Sequence, residues 1–266
     1  MKPPWTDRLK ALSPSCRHQV LCFLAAFRFL TIIPVHWRAD KDGDYFQHSL
    51  HYFPVIGGLI GIAVGSASLF FRSFLPGSVV AVIAIILLAI VSGCLHLDGL
   101  ADTADGFFSS RPKEKILEIM RDSRTGAMGV IVVALVLLLK FAALSSVPPA
   151  VFFKAVCLMP IAGRCAIVFS MALLPYARQE GGLGRLFYSG NCRLSAGWAF
   201  VFLFVLTPFI GIRTTVLLCG ITIATGLVFS VWCRQKIGGA TGDTLGAICE
   251  LTEMAVAVGM ANTIGY

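Results

Sequence analysis

The sequence predicts an all-α, polytopic integral membrane helical bundle of about seven transmembrane helices, preceded by a short interfacial or re-entrant helix. Three observations carry that expectation. Apolar types make up 57% of the 266 residues and charged types only 14%, where a soluble domain carries about 25% charged residues. Mean hydropathy is +0.82, and a soluble globule of this length exposes too many positions to hide so much apolar surface. The apolar residues also gather into runs of bilayer length, and the basic residues collect in alternate connections between those runs. The chain is too rich in Leu, Ile, Val and Phe to be disordered.

Taken in order, residues 1–51 form a cytoplasmic and interfacial segment. Met1 to Gln19 has no apolar region followed by a small-residue cleavage site, so no cleaved signal is expected. Residues 20–34 are a shorter apolar run that carries Arg28 and ends at Pro34, which suits an interfacial or re-entrant helix. His48 and His51 read as interfacial, since no adjacent third metal ligand accompanies them. Residues 52–266 then read as one transmembrane catalytic domain. Its spans are expected at about 52–71, 78–97, 127–147, 151–174, 195–211, 214–232 and 246–265, because a crossing needs about 17–25 apolar residues. Val147-Pro148-Pro149 and Ile212-Arg213 leave room only for tight helical hairpins. The long connections are 98–126, 175–194 and 233–245.

Seventeen Lys and Arg lie in the N-terminal stretch and the three long connections, against Arg72 and Arg213 on the other side. The positive-inside rule places the long connections in the cytoplasm and the protein in the cytoplasmic (inner) membrane as a multi-pass chain. The net charge of +8 has the same origin, and without a basic domain or a nucleic-acid module no nucleic-acid partner is expected. The nine cysteines are odd in number and contain no C-x-x-C. They read as small buried hydrophobes in lipid or reducing surroundings.

The acids gather on the basic side, as expected of an enzyme with its active face toward the cytoplasm. Asp98, Asp102 and Asp105 are spaced i, i+4, i+7. On a helix they fall within about 60° of one another. Unpaired acids held that close repel, and a shared Mg²⁺, which takes a few carboxylates, waters and phosphate oxygens, would relieve them. The alternative is a solvated helix end capped by Asp98. Asp243, Glu250 and Glu253 form a second acidic set on one face of the last helix. They offer a further metal position, or else Glu250 pairs with Arg234 or Lys236. Arg121, Asp122, Ser123 and Arg124, followed by Thr125-Gly126, resemble a phosphate clamp of forked donors and free backbone N–H groups. Flanking positive charge with Asp122 as a cap would give the same letters. The turn from Pro175 through Arg178 to Gly182 is placed to lid a substrate, and Gly238-Gly239-Ala240-Thr241-Gly242 permits close approach of backbone to phosphate. Arg164 sits mid-span, which is costly unless it faces a polar cleft, so it is expected to point toward the acids. His96 is the candidate general base, with packing as the alternative. Together these imply Mg²⁺-assisted chemistry on a diphosphate at the membrane edge.

Gly93-Cys94-Leu95-His96-Leu97-Asp98-Gly99-Leu100-Ala101-Asp102-Thr103-Ala104-Asp105-Gly106 resembles the signature of the cobalamin synthase family, the adenosylcobinamide-GDP ribazoletransferases. Glu118 to Val130, Tyr52-Phe53-Pro54 with Gly57-Gly58, Pro175-Tyr176-Ala177-Arg178, and Gly238 to Asp243 with Glu250-Leu251-Thr252-Glu253 follow in family order. Ser92-Gly93-Cys94 replaces a more usual glycine pair, and Thr125 stands where Ile is common. The resemblance implies a magnesium-dependent transferase of the phosphotransferase type in cobalamin biosynthesis. In it an α-ribazole hydroxyl attacks the cobinamide-side phosphorus of adenosylcobinamide-GDP and GMP leaves. α-Ribazole and its 5′-phosphate both stay open as acceptors, as does assembly into an oligomer. The implied metal ligands are Asp98, Asp102 and Asp105, with Asp243, Glu250 or Glu253 at a second ion. Arg121 and Arg124 would hold the guanosine-side phosphate, with Asp122, Ser123, Arg164, Arg178 and Thr241 also in the substrate set. Two rivals remain. A CDP-alcohol phosphotransferase-like enzyme wants Ala-Arg where Ala101-Asp102 stands, and a cation-coupled transporter needs acids mid-span or on the outer face.

Overall fold

Prolines and glycines set where helices begin, cross and stop. The computed structural model describes residues 13–35, 42–178, 183–188 and 191–262. Ser13 caps α1 (Pro14–Leu30), its hydroxyl accepting from the Cys16 N–H at 3.3 Å. α1 buries Leu21, Cys22, Ala25, Ala26 and Leu30. α2 (Asp42–Ser49) runs through a 3₁₀ turn, Leu50–Tyr52, into α3 (Phe53–Arg72). α4 (Gly77–Val91), α5 (Leu95–Phe107), α6 (Lys113–Ile119), α7 (Ala127–Ser146) and α8 (Pro149–Leu173) follow. After a 3₁₀ segment, Leu183–Phe187, come α9 (Cys192–Val205), the single turn α10 (Thr207–Ile210), α11 (Ile212–Ile237) and α12 (Gly242–Asn262). No strand forms among the described residues, where only one parallel bridge, Tyr176 with Ala240, occurs.

Five helices are long and apolar enough to cross a membrane: Tyr45–Arg72, α7, α8, α11 and α12. α4 and α5 make a sixth if counted as one broken span, bent by 88°. The protein is therefore an all-α, multi-pass membrane protein. The count falls short of seven because the helix that covers the 195–211 run, Cys192–Val205, ends after 14 residues. Pro208 lacks the N–H that would continue the ladder, and Gly211 takes φ +86° before α11. The 78–97 run breaks too. Gly93 (φ +60°) and Cys94 (φ +58°) reverse the backbone, so the acidic stripe begins a helix of its own. Much of the expected 98–126 loop is thus helical and packed against α7 and α12. α8 is the central post, with Phe152, Ala155, Val156, Ala162, Cys165 and Ala166 among its buried residues. α3 packs on it through Gly57, Gly61 and Gly65; a Cβ on Gly61 would lie 2.5 Å from the Cys157 carbonyl oxygen. Small residues let helix backbones touch, and that contact is the main attraction available between spans in lipid.

Candidate active site

α5 carries the acidic stripe in the register that the spacing predicts: Asp98, Asp102 and Asp105 all lie on it. Glycines bring this helix onto the start of α12. A Cβ on Gly99 would lie 2.7 Å from the Asp243 carbonyl oxygen, and one on Gly246 would lie 3.2 Å from His96 Cα. Gly99→Ala is therefore expected to cost about 1–3 kcal/mol by overpacking, and Gly246→Ala less. Thermal unfolding of the two purified variants in detergent gives the order; equal midpoints would contradict the close crossing.

The crossing forms one wall of a cleft of about 230 Å³. Asp98, Asp243, His96, Tyr176 and Arg178 line its polar side, and Phe29, Phe53 and Phe187 its aromatic side. The Phe29 and Phe187 rings lie 4.7 Å apart and the Phe53 and Phe187 rings 5.5 Å apart. Arg178 is brought in by the bridge: the Ala177 N–H donates to the Ala240 carbonyl at 2.8 Å, and the Ala240 N–H to the Pro175 carbonyl at 2.9 Å. A Cβ on Gly239 would collide with the Pro175 carbonyl oxygen, so the pairing needs glycine there. Arg178 Nη2 then donates to Asp243 Oδ2 at 2.6 Å. Thr241 is fully buried and its hydroxyl donates to Asp243 Oδ2 at 3.3 Å while accepting from the Thr244 N–H. It thereby fixes the first turn of α12.

The three stripe aspartates have different surroundings. Asp105 accepts from the N–H groups of Gly126 at 2.7 Å and Gly129 at 2.8 Å, one with each oxygen. It is a carboxylate cap supplied from another helix to the positive end of α7. Asp98 and Asp102 have no hydrogen bond or ion pair among the described residues. Asp102 interacts electrostatically with Asp98, Asp243 and Asp105 as like charges and with Arg178 as an opposite one. Among the described residues no group of three or more His, Cys, Asp or Glu is placed to hold a metal ion. Two hard-oxygen carboxylates one helical turn apart, Asp98 in the cleft lining and Asp102 beyond it, fit Mg²⁺, which uses few protein ligands and fills its shell with waters and phosphate oxygens.

Glu250 and Glu253 lie deeper. Lys140 Nζ donates to Glu250 Oε2 at 2.6 Å and to Glu253 Oε2 at 2.8 Å. Arg164 Nη1 pairs with Glu253 Oε1, and Arg164 Nη2 lies 3.4 Å from His96 Nδ1. All five side chains are buried. The pairing partner is thus Lys140, in the middle of α7, instead of Arg234 or Lys236. Arg234 donates to the Leu173 carbonyl at 3.0 Å. Arg164 does meet an acid, Glu253, inside the bundle, and it is absent from the cleft lining.

Arg121 lines a second depression beside the cleft with Lys113, Glu118 and Arg178. Arg124 and Asp122 form an exposed pair, Nη2 to Oδ2 at 2.7 Å, and Ser123 is exposed between them. Arg124 holds the Asp122 carboxyl down at about 2 by hydrogen bonding. The Arg178 end of the expected lid is at the cleft; Gln179 to Gly182 lie outside the described residues. The aromatic wall was not expected from sequence. Phe29 belongs to the 20–34 run, whose apolar face gave no sign of a ligand. Lys140 had a legible signal, because a lone cation in an apolar span requires an acid.

The model of the cobalamin-5-phosphate synthase family matches residues 22–261. An adenosylcobinamide-GDP ribazoletransferase of Clostridium acetobutylicum is 38% identical over 231 residues, 85% of this chain and 90% of the relative. Proteins of the same name from Acetivibrio thermocellus and Syntrophobacter fumaroxidans are 38% and 36% identical over 230 and 240 residues. These alignments cover 85% and 87% of this chain and 91% and 94% of the relatives. No solved structure matches the chain.

Proposed function

The chain belongs to the cobalamin-5-phosphate synthase family, a transferase of cobalamin nucleotide-loop assembly, and from that premise we propose the chemistry of its cleft. The substrates are adenosylcobinamide-GDP and α-ribazole or its 5′-phosphate. An acceptor hydroxyl attacks the cobinamide-side phosphorus, the diphosphate bridge breaks, and GMP leaves with the bridging oxygen. The observation that carries this reading is Asp98, a carboxylate without a side-chain partner in the lining of a cleft that also holds Arg178 and an aromatic wall, with a second such carboxylate, Asp102, one turn further along α5. Asp98 and Asp102 would hold Mg²⁺, whose charge would neutralise the diphosphate and the leaving phosphate. Asp243 supports that position from α12, and Arg178 keeps its carboxylate oriented. Phe29, Phe53, Tyr176 and Phe187 offer flat apolar faces for the planar base of α-ribazole. Arg121, in the adjoining depression, is placed to take the guanosine-side phosphate. Arg124, on the exposed loop, joins it if substrate draws it from Asp122.

The cleft faces the cytoplasm in this reading, on the strength of seventeen basic residues against two. GMP release from adenosylcobinamide-GDP by the purified protein, with and without α-ribazole, is the direct test. Release that depends on both α-ribazole and Mg²⁺ is the expected result. Release at the same rate without α-ribazole would make the protein a hydrolase and overturn the assignment of the acceptor.

A further inference from the structure

Arg178 lines both the cleft and the second depression, a space of about 370 Å³. It donates to Asp243 on the cleft side and lies 3.5 Å from the Met120 carbonyl, just past the end of α6, on the other. The lining positions contributed by α6 and the turn after it are 114, 117, 118 and 121. Their spacing, i, i+3, i+4, i+7, is that of one helix face, and Ile116 and Met120 on the opposite face are buried. The chemistry changes along the exposed face. Arg121 stands at the Arg178 end, Leu117 follows one turn back, and Glu114 lies about 10 Å from Arg121 at the helical rise. Glu118 pairs with Lys115 at 2.7 Å, whereas Glu114 has no side-chain hydrogen bond or ion pair among the described residues. A pocket for phosphate alone gains nothing from a carboxylate, because the two repel. Cations at one end and an uncommitted carboxylate at the other suit a ligand that is anionic at one end and donates hydrogen bonds at the other.

We infer that this depression is the guanosine pocket and that Glu114 reads the base, accepting the guanine N1–H and a 2-amino hydrogen, one on each carboxylate oxygen. The inference rests on the diphosphate reading above, which puts the guanosine-side phosphate at Arg121. A nucleotide laid from there along α6 brings its purine to Glu114, since two helical turns match the reach from phosphate to the far edge of the base. Leu117 and Ala177 offer apolar surface to the ring, and Lys113, at the same end, is a donor of the kind that guanine O6 takes. A carboxylate only accepts, so it suits an edge made of two donors. Adenine turns a bare N1 toward it, one acceptor against another. Hypoxanthine keeps N1–H and lacks the amine. The base is remote from the bond that breaks, so its contacts are the same before and during the reaction. Glu114 therefore determines which nucleotide is held and takes no part in the bond breaking.

The test has two arms. In the first, binding of GMP, IMP and AMP to the purified protein is measured by calorimetry without the other substrate. The phosphate is common to all three, so differences report the base. The wild-type protein is expected to prefer GMP over AMP by on the order of 10- to 100-fold, with IMP between them. Glu114→Gln exchanges one acceptor for a donor and should lose most of that preference; Glu114 is exposed and unpaired, so the fold should be unaffected. Equal affinities in the wild-type protein, or a preference that survives Glu114→Gln and disappears in Glu118→Gln, overturn the inference. In the second arm, GMP release from adenosylcobinamide-GDP is followed in Glu114→Gln. A raised KM with kcat kept is expected, the mark of an interaction made equally in ground and transition states. A lowered kcat at unchanged KM would overturn the specificity role. The two readings fail separately. If the GMP preference and its loss in Glu114→Gln hold while wild-type protein releases no GMP, the pocket stands and the transferase chemistry falls. If release occurs and the three nucleotides bind alike, the chemistry stands and the pocket falls.

Discussion

Asp98→Asn and Asp102→Asn should each lower GMP release by at least about 100-fold at fixed Mg²⁺ while leaving the unfolding temperature unchanged or raised. Neither carboxylate has a hydrogen bond or ion pair among the described residues, so the fold loses nothing when either is neutralised. Asp102 also sits among like charges from Asp98, Asp243 and Asp105. Removing one negative charge relieves that repulsion, which is why a gain in stability is the natural companion of a loss in activity. Asp105→Asn should behave the opposite way. An amide offers one accepting oxygen where the carboxylate takes an N–H on each, and it gives up the charge that favours the helix start. That should cost about 1 kcal/mol of stability, with most of the activity kept at saturating Mg²⁺. The three variants therefore separate by two measurements, a melting curve and a Mg²⁺ titration of GMP release. A thermally silent but inactive Asp105→Asn would return Asp105 to the metal set and undo the distinction drawn from its hydrogen bonds.

The sequence exposes part of this arrangement for a definite reason. Helical periodicity is local, so the spacing of Asp98, Asp102 and Asp105 fixes their common face whatever the rest of the chain does. Backbone breaks are harder to read. Gly93 hints at a turn, yet nothing about Cys94 announces a left-handed residue, and together they set α5 at 88° to α4. The run over 195–211 looked long enough to span because hydropathy is blind to the missing N–H of Pro208. Partner choice across the bundle is the least legible level. Sequence distance alone pairs Glu250 with Arg234 or Lys236. Its partner is Lys140, 110 residues away. A stricter matching of mid-span charges would have found it, since Lys140 and Arg164 are the cations and Glu250 and Glu253 the acids that fall deep within spans. Asp105 illustrates a different gap. Its letters are those of a ligand, and only the approach of Gly126 and Gly129 turns it into a cap.

Neutralising Lys140 should have the larger structural effect. Lys140 and Arg164 balance Glu250 and Glu253 in a site closed to water. Lys140→Met removes one cation and leaves a carboxylate buried without its counter-charge, a change that costs about 3–5 kcal/mol. Folded protein recovered from membranes should fall sharply and any remainder should aggregate on size exclusion. The network also predicts its own repair. Adding Glu250→Gln to Lys140→Met restores the balance, with Arg164 against Glu253, and replaces a stranded charge by a neutral amide. The double variant should recover most of the lost yield and melt well above Lys140→Met. Arg164 keeps its bond to Glu253 and its contact with His96 in that protein, so GMP release should return with the fold. A double variant as unstable as the single one would mean that Lys140 matters for its packing within α7 rather than for its charge. The charge account would then fail for the whole network, since every link in it is the same exchange of solvation for pairing.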